Sequence, residues 1–265
     1  MINNDRVSLY LGDCLDIMKD IPDKSIDLIL CDLPYGTVAC PWDIRIPFEL
    51  LWEQYNRILK NKGVVVLFGS QPFSTLLVGS NIKNFKEEII WLKNKAGSGI
   101  QAKKKNIKIH ENIYVFANES GSTFNPQKWL VSDKEFLTQR KTFDETYVGN
   151  NIYSPMKRVR KEDDGTRNPI SIVSCAVPFT PSKSKKYSKD IDLRLHPTQK
   201  PVKLLSWLIK TYSNEGEIVL DNCMGSGSTG EACLRTNRRF IGIEKDEDYF
   251  DIAKNRLDAF IKNEE

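Results

Sequence analysis

Ser25-Ile26-Asp27-Leu28-Ile29-Leu30-Cys31-Asp32-Leu33-Pro34-Tyr35 is the stretch that decides how this chain folds. The run up to Cys31 is mostly apolar and opens with an alternation, which predicts an interior strand of a parallel sheet. Pro34 disfavours the α conformation at Leu33, so the chain leaves the strand extended, with carbonyls that local structure does not pair. Open α/β sheets bind ligands beyond the carboxyl ends of their strands. Asp32 stands at such an end, with the ring of Tyr35 just above it. A carboxylate, backbone acceptors and an aromatic ring suit an enzyme that holds a flat nitrogenous base and engages its exocyclic amine. Alone, the stretch reads equally as a strand closed by a Pro-Tyr turn.

Outward from it, strand and helix signals alternate. Strands are predicted at 7–11, 26–31, 63–68, 85–91 and 111–117, with helices at 14–19, at 48–59 and after Pro72. This is the rhythm of βαβ units. From 118 to 195 the rhythm breaks into Ser, Asn, Pro, Lys and Asp with scattered aromatics, too many for complete disorder. At Pro201 it resumes, with a helix to 212, a strand at 217–220, a glycine-rich turn, a helix at 230–235, a strand at 240–243 and a helix at 246–260. The chain is expected to leave one α/β domain, build an irregular module and return to the same sheet.

Charge follows that division. Residues 91–195 carry 20 Lys or Arg against 11 Asp or Glu, while the remainder carries 19 against 24. A basic middle interleaved with aromatics fits a DNA surface, where phosphate contacts position the duplex and fewer side chains read base edges. Lys103, Lys104, Lys105, Lys157, Arg158, Arg160 and Lys161 are the expected phosphate contacts. The chain shows no secretory leader and no apolar stretch long enough for a bilayer, which sets the expectation of a cytoplasmic protein away from membranes. The six cysteines lack C-x-x-C spacing and the two histidines lie far apart, so reduced thiols are expected and a metal centre is not.

Asp221-Asn222-Cys223-Met224-Gly225-Ser226-Gly227-Ser228-Thr229-Gly230 follows a strand and opens a helix. Gly225, Gly227 and Gly230 satisfy the dinucleotide spacing G-x-G-x-x-G, and Glu244 stands near the place of a ribose-binding carboxylate. A dehydrogenase is one reading. Asp221 argues against it, because a carboxylate beside a pyrophosphate is unhelpful, whereas it attracts the ammonium and sulfonium of S-adenosylmethionine. Asp13 at the end of the first strand could accept from the cofactor's adenine amine. Thr198 and Lys200, in His196-Pro197-Thr198-Gln199-Lys200-Pro201, could hold its carboxylate. Each of these two pieces also reads as a structural cap.

Together these motifs resemble the β class of amino-directed DNA methyltransferases. D-L-P-Y at 32–35 resembles that family's D-P-P-Y, the 221–230 stretch its D-P-F-x-G-S-G-T-T, and H-P-T-Q-K-P at 196–201 its methionine-side motif. The resemblance covers 7–120 and 190–260. It implies a Rossmann-like α/β methyltransferase fold: a mostly parallel seven-stranded sheet with a reversed hairpin and circularly permuted motif order. It divides the chain into a catalytic half (1–120), an inserted target-recognition region (121–195) and a cofactor half (196–265). It also implies S-adenosylmethionine as cofactor, double-stranded DNA as partner and, often, a homodimer. Asp221, Gly225, Gly227 and Thr229 would shape the methionine pocket, Glu244 would bind the ribose and Asp13 would meet the adenine. Thr198 and Lys200 would approach the carboxylate, and Asp32 would also border the cofactor.

The implied reaction uses Asp32, Leu33, Pro34 and Tyr35 on a base flipped out of the duplex. Tyr35 stacks on it, Asp32 and the Leu33 carbonyl accept its amine hydrogens, and the nitrogen displaces the sulfonium directly, without metal or covalent cysteine. An aspartate-led motif points, by resemblance, to adenine N6 over cytosine N4. Leu33, Asn222 and Cys223 depart from the family pattern. A non-catalytic DNA-binding module accounts for the basic middle but not for Asp32 and Tyr35, and an RNA substrate is compatible with the same surface. A cognate restriction enzyme and a solitary modification role are equally open.

Overall fold

A computed structural model describes residues 2–3, 5–37, 40, 43–97, 102–117, 121–130, 166–178 and 198–263. The central strands form where the sequence is apolar without interruption. All six residues of β3 (Ile26–Cys31) are buried, as are Gly63 to Gly69 in β4 (Leu59–Gly69). Successive side chains point to opposite faces of a strand. Leu28 and Leu30 therefore join one core layer while Ile29 and Cys31 join the other. Helices α4 (Val202–Tyr212), α5 (Ser228–Arg235) and α6 (Glu247–Lys262) cover the first face. Helices α1 (Cys14–Ile17), α2 (Phe48–Ile58) and α3 (Phe73–Ser80) cover the second. In α2 the buried residues Leu51, Trp52, Tyr55 and Ile58 recur at helical spacing, which fixes the face it presents.

The other strands are β1 (Ile2–Asn3), β2 (Val7–Leu11), β5 (Phe85–Leu92), β6 (His110–Phe116), β9 (Ile172–Ser174), β10 (Ile218–Asp221) and β11 (Arg239–Glu244), with a separate β7 (Trp129–Leu130) and β8 (Thr166–Arg167) pair. The main sheet runs β1-β2-β11-β10-β3-β4-β6-β5-β9. From β2 to β4 every pairing is parallel, β6 runs against both β4 and β5, and β5 pairs in parallel with β9. The expected seven strands with a reversed hairpin are present, and two short edge strands extend them to nine. Strands β11 and β10, from the end of the chain, lie between β2 and β3, from its beginning. The two expected halves therefore share one sheet.

Part of the expected region 121–195 is attached to the main sheet. Within that range β9 is an edge strand of the main sheet, and the indole of Trp91 donates to the Cys175 carbonyl at 2.8 Å. Asn125 donates from its backbone to Thr211 of α4 at 2.7 Å. The irregular composition concealed these attachments because a three-residue strand leaves no measurable alternation. Residues 131–165 and 179–197, with Lys157, Arg158, Arg160, Lys161 and His196, lie outside the described residues. Among the described residues no helix is long and apolar enough to cross a membrane.

Candidate active site

The parallel strands β2, β11, β10, β3 and β4 all end at the same edge of the sheet. Because β6 runs the other way, it contributes its first residues, His110 and Glu111, to that edge. A cavity of about 1180 Å³ opens there. Its wall includes Asp13 after β2, Glu244 at the end of β11, Asp221 at the end of β10, Asp32 to Tyr35 after β3, Ser70 after β4 and Lys93 after β5. Single-ligand pockets usually measure about 300–1,000 Å³, so this one has room for more than one ligand.

On one side the loop after β10 folds over itself. Asp221, 4% exposed, accepts from the Thr229 hydroxyl at 2.6 Å and from the Cys223 backbone at 3.1 Å. Burial pushes its carboxyl up to about 6, although those donors pull the other way. Glu244 accepts from the backbone N–H groups of Gly225 at 2.8 Å and of Lys245 and Asp246 at 2.9 Å. Asp13 caps α1 by accepting from Leu15 at 3.0 Å and pairs with exposed Lys245 at 3.1 Å on the cavity lip. Gly225, at φ 51°, lines the cavity. Gly227 and Gly230 face away from it. A Cβ on Gly227 would meet Ala253 at 3.0 Å, and one on Gly230 would meet the Phe240 ring at 2.8 Å, so these two allow close packing of α5 on α6 and β11.

On the other side, Asp32 is held at both oxygens. Oδ1 accepts from the Tyr35 hydroxyl at 2.9 Å and Oδ2 from Lys200. Enclosure pushes its carboxyl above the usual range; Lys200 opposes that and Glu111 adds to it. The Tyr35 ring stacks on Phe73 at 4.6 Å with planes 21° apart. The loop beyond is tied by Asp43, whose carboxylate accepts from three consecutive backbone N–H groups, those of Tyr35 at 2.7 Å, Gly36 at 3.0 Å and Thr37 at 2.7 Å.

The ammonium of Lys200 meets Asp32, stands 3.5 Å from Glu111 Oε2 and lies 4.9 Å over the Phe68 ring. Sequence gives the residue's distance from α4, not the direction of its side chain, so this pairing with Asp32 was not foreseen. Thr198 remains exposed on the cavity wall. Lys103, Lys104 and Lys105 are exposed and are not part of that wall.

Asp43, Phe73, Lys93 and Glu111 were missed by sequence reasoning. Of these only Glu111 carried a signal, and a weak one: a charge between His110 and Asn112 where an apolar strand begins. Asn222 is a fifth. Its side chain accepts from the Tyr55 hydroxyl at 2.5 Å and donates to Cys14 and Cys223 sulfurs at 3.5 and 3.6 Å. All six cysteines are unpaired, and burial pushes the Cys31 thiol up to about 12, so it remains protonated at neutral pH. Among the described residues no cluster of three His, Cys, Asp or Glu could hold a metal ion.

Comparison with known proteins bears on the same residues. Residues 26–255 match the model of a DNA methylase family. The chain is 30% identical over 279 residues to DNA adenine methyltransferase YhdJ of Escherichia coli (strain K12), across 97% of this chain and 84% of that one. It is 27% identical over 286 residues to Type II methyltransferase M.HinfI of Haemophilus influenzae, across 97% and 69%. Among solved structures, the M1.HpyAVI–SAM complex superposes with a TM-score of 0.61 at 24% identity, covering 95% of this chain and 98% of that one. The cytosine-N4-specific PvuII DNA methyltransferase does so with 0.63 at 16% identity, covering 97% and 90%. These two likenesses are likenesses of fold.

Proposed function

Because the chain belongs to the DNA methylase family of N6-adenine and N4-cytosine enzymes and is a DNA methyltransferase, we propose that it methylates the exocyclic N6 of adenine in duplex DNA. One observation carries the reading. The D-L-P-Y exit of β3 and the Asp221 loop after β10, from opposite ends of the sequence, are neighbouring strand ends that line one cavity.

The residues on the β10 and β11 side fit S-adenosylmethionine. Asp221 offers a buried carboxylate to a cation, Glu244 offers two oxygens to ribose hydroxyls, and Gly225 brings bare backbone to the wall. Thr229 holds the Asp221 carboxylate in place. Asp13 stands at the lip for the adenine amine, and Thr198 on the wall toward the carboxylate end. When bound, that cofactor supplies a methyl group on a sulfonium centre.

The rest of the work falls to this chain's own groups. A stacked amine cannot reach such a cavity, so the target base leaves the duplex. Tyr35, backed by Phe73 on one face, offers its other face to the base. A carboxylate has about four lone-pair sites. Asp32 can therefore accept an amine hydrogen beside the bonds from Tyr35 and Lys200, while the Leu33 carbonyl takes the second. Both bonds draw the nitrogen lone pair out of conjugation and aim it across the cavity. The nitrogen would take the methyl group, leaving the bond pair on the cofactor's sulfur, and Asp32 would pass the amine's surplus proton to solvent. Orientation of this kind contributes several powers of ten in rate.

Adenine is favoured by the aspartate-led motif and by the name of the relative from Escherichia coli. The basic residues at 103–105 and 157–161 would contact phosphates. The test is incubation with labelled S-adenosylmethionine and unmethylated genomic DNA, followed by mass spectrometry of nucleosides. N6-methyladenine is expected; N4-methylcytosine would overturn the choice of base, and no methylated nucleoside would overturn the reading.

A further inference from the structure

Asp32 belongs to a chain of alternating charges that continues beyond the motif. Lys200 Nζ donates to Asp32 Oδ2, approaches Glu111 Oε2 at 3.5 Å, and Lys93 donates to Glu111 Oε1. The side chains are poorly exposed: 8% for Lys200, 21% for Asp32, 19% for Glu111 and 22% for Lys93. Each element of the edge supplies one member: the exit of β3 the aspartate, the segment before α4 the first lysine, β6 the glutamate and the exit of β5 the second lysine. Charges so enclosed persist only when paired.

Lys200 Nζ donates to Asp32 and to the Thr198 carbonyl at 3.3 Å, and stands 3.5 Å from Glu111 Oε2. To meet a cofactor's carboxylate as well, the lysine would have to loosen its hold on the aspartate. Glu111 Oε2, for its part, is buried with no hydrogen-bond partner among the described residues. An oxygen in that condition faces a cation for electrostatic reasons, and the cation it faces is Lys200.

We infer that Lys200, braced by Glu111, is a positioning residue for methyl transfer, keeping Asp32 an anion with its carboxylate turned to accept the target amine. The inference rests on the reading of Asp32 as the acceptor of that amine. An anion serves that chemistry best, since a protonated carboxyl surrenders one acceptor and much of its pull on the amine hydrogen. The Tyr35 hydroxyl at Oδ1 and Lys200 at Oδ2 also fix the plane of the carboxylate, leaving its remaining lone pairs for the substrate.

The groups facing Asp32 are the Tyr35 hydroxyl and Cys31 from its own segment, Asp221 from β10, Lys200, and Glu111 with Lys93 and Lys108 behind it. Lys200 favours the ionised aspartate, while Glu111 and enclosure oppose it. Removal of Lys200 and removal of the Glu111 charge must therefore act on Asp32 with opposite signs. A merely structural role for the pair would not produce that opposition.

The test is the pH dependence of kcat at saturating DNA and cofactor for the wild type, Lys200→Met, Lys200→Arg and Glu111→Gln, with calorimetric cofactor Kd for each. Lys200→Met is expected to lower kcat at pH 7 by about 10²-fold and to move the acid limb upward by about 1–3 pH units. Cofactor Kd should stay within a few fold, and Lys200→Arg should return part of the limb. Glu111→Gln should move the limb to lower pH. A limb unmoved in both variants, or moved the same way in both, overturns the inference. So does a Lys200→Met enzyme whose only defect is weakened cofactor binding. If Lys200→Met does not fold, Lys200→Gln takes its place: a limb moved upward supports the inference and an unmoved one overturns it. A wild type that methylates no DNA overturns the underlying reading, whereas an active wild type with unmoved limbs overturns only the role of Lys200 and Glu111.

Discussion

The hydroxyl of Tyr35 donates to Oδ1 of Asp32 at 2.9 Å, while the Tyr35 ring lies stacked on Phe73. One side chain thus has two separable duties, orienting the acceptor carboxylate and presenting a flat surface to a base. Tyr35→Phe removes only the hydrogen bond. Bonds to charged groups contribute about 1.5–3 kcal/mol, so kcat should fall by about 10- to 100-fold, with little change in KM for DNA. Tyr35→Ala removes the stacking surface as well, worth about 1–3 kcal/mol per base, and should raise KM for DNA besides. Steady-state kinetics of both variants separates the duties. Equal KM values in the two would show that the ring does not meet the base.

Asp43 predicts a loss of activity out of proportion to the loss of stability. Its carboxylate gathers three consecutive N–H groups that begin at Tyr35, so it sets the path of the loop behind the ring. Gly36 and Thr37 are exposed, and water can replace the lost acceptor there. Asp43→Ala should therefore cost no more than about 1–3 kcal/mol in unfolding free energy, while displacement of the ring by about 1 Å lowers kcat by about 10²-fold. Denaturant titration beside kcat measures both. A variant with normal turnover would mean that the loop keeps its path without Asp43.

The same contrast explains what the sequence disclosed. Strand β3 and the Val64 to Phe68 run of β4 were legible because burial on both faces demands unbroken apolar residues, and α2 because one buried face demands helical spacing. The placing of Asp13 and Asp32 at strand ends followed from the motifs and a parallel sheet, while the order of those strands came only from the structure. Asp43 and Glu111 were not legible in their roles. A carboxylate in a loop or at a strand's first turn looks the same whether it faces solvent, a row of amides or a buried lysine. Lys200 was read from its motif as a cofactor residue and its pairing with Asp32 went unseen, because nothing in spacing specifies the partner of a long side chain. Gly227 and Gly230 satisfied a cofactor-loop spacing, yet the contacts that need them bare are with Ala253, Phe240 and Leu257.

Those contacts make Gly230 a test of packing. A Cβ there would stand 2.8 Å from the Phe240 ring and 2.9 Å from Leu257 Cδ1. Overpacking costs about 1–3 kcal/mol, and alanine recovers up to about 1 kcal/mol of helix propensity. Gly230→Ala should thus be net destabilising, while cofactor Kd in the folded fraction stays near the wild-type value. Unfolding monitored beside calorimetric binding checks this. A cofactor defect with unchanged stability would place Gly230 at the cavity after all.

Asp221 ties cofactor binding to pH. Its folded carboxyl lies at about 6, raised above the ordinary aspartate value of 3.8, chiefly by burial. The folded state therefore prefers the protonated form. The stability this gives is fully present below the ordinary value and is lost as pH rises through about 6. A bound cation has the opposite preference, because it gains from the ionised carboxylate. Below pH 6 binding must expel a proton, and affinity for S-adenosylmethionine should fall by up to about tenfold per pH unit for one coupled proton. Above pH 7 the affinity should level off. Calorimetry in two buffers of different ionisation enthalpy counts the protons released. The expected result is a release approaching one proton at pH 5 and near zero at pH 7.5, abolished in Asp221→Asn. A wild type whose affinity is flat from pH 5 to 7.5 would remove Asp221 from the cation's company, since no buried carboxyl at such a value can pair with a cation without releasing its proton.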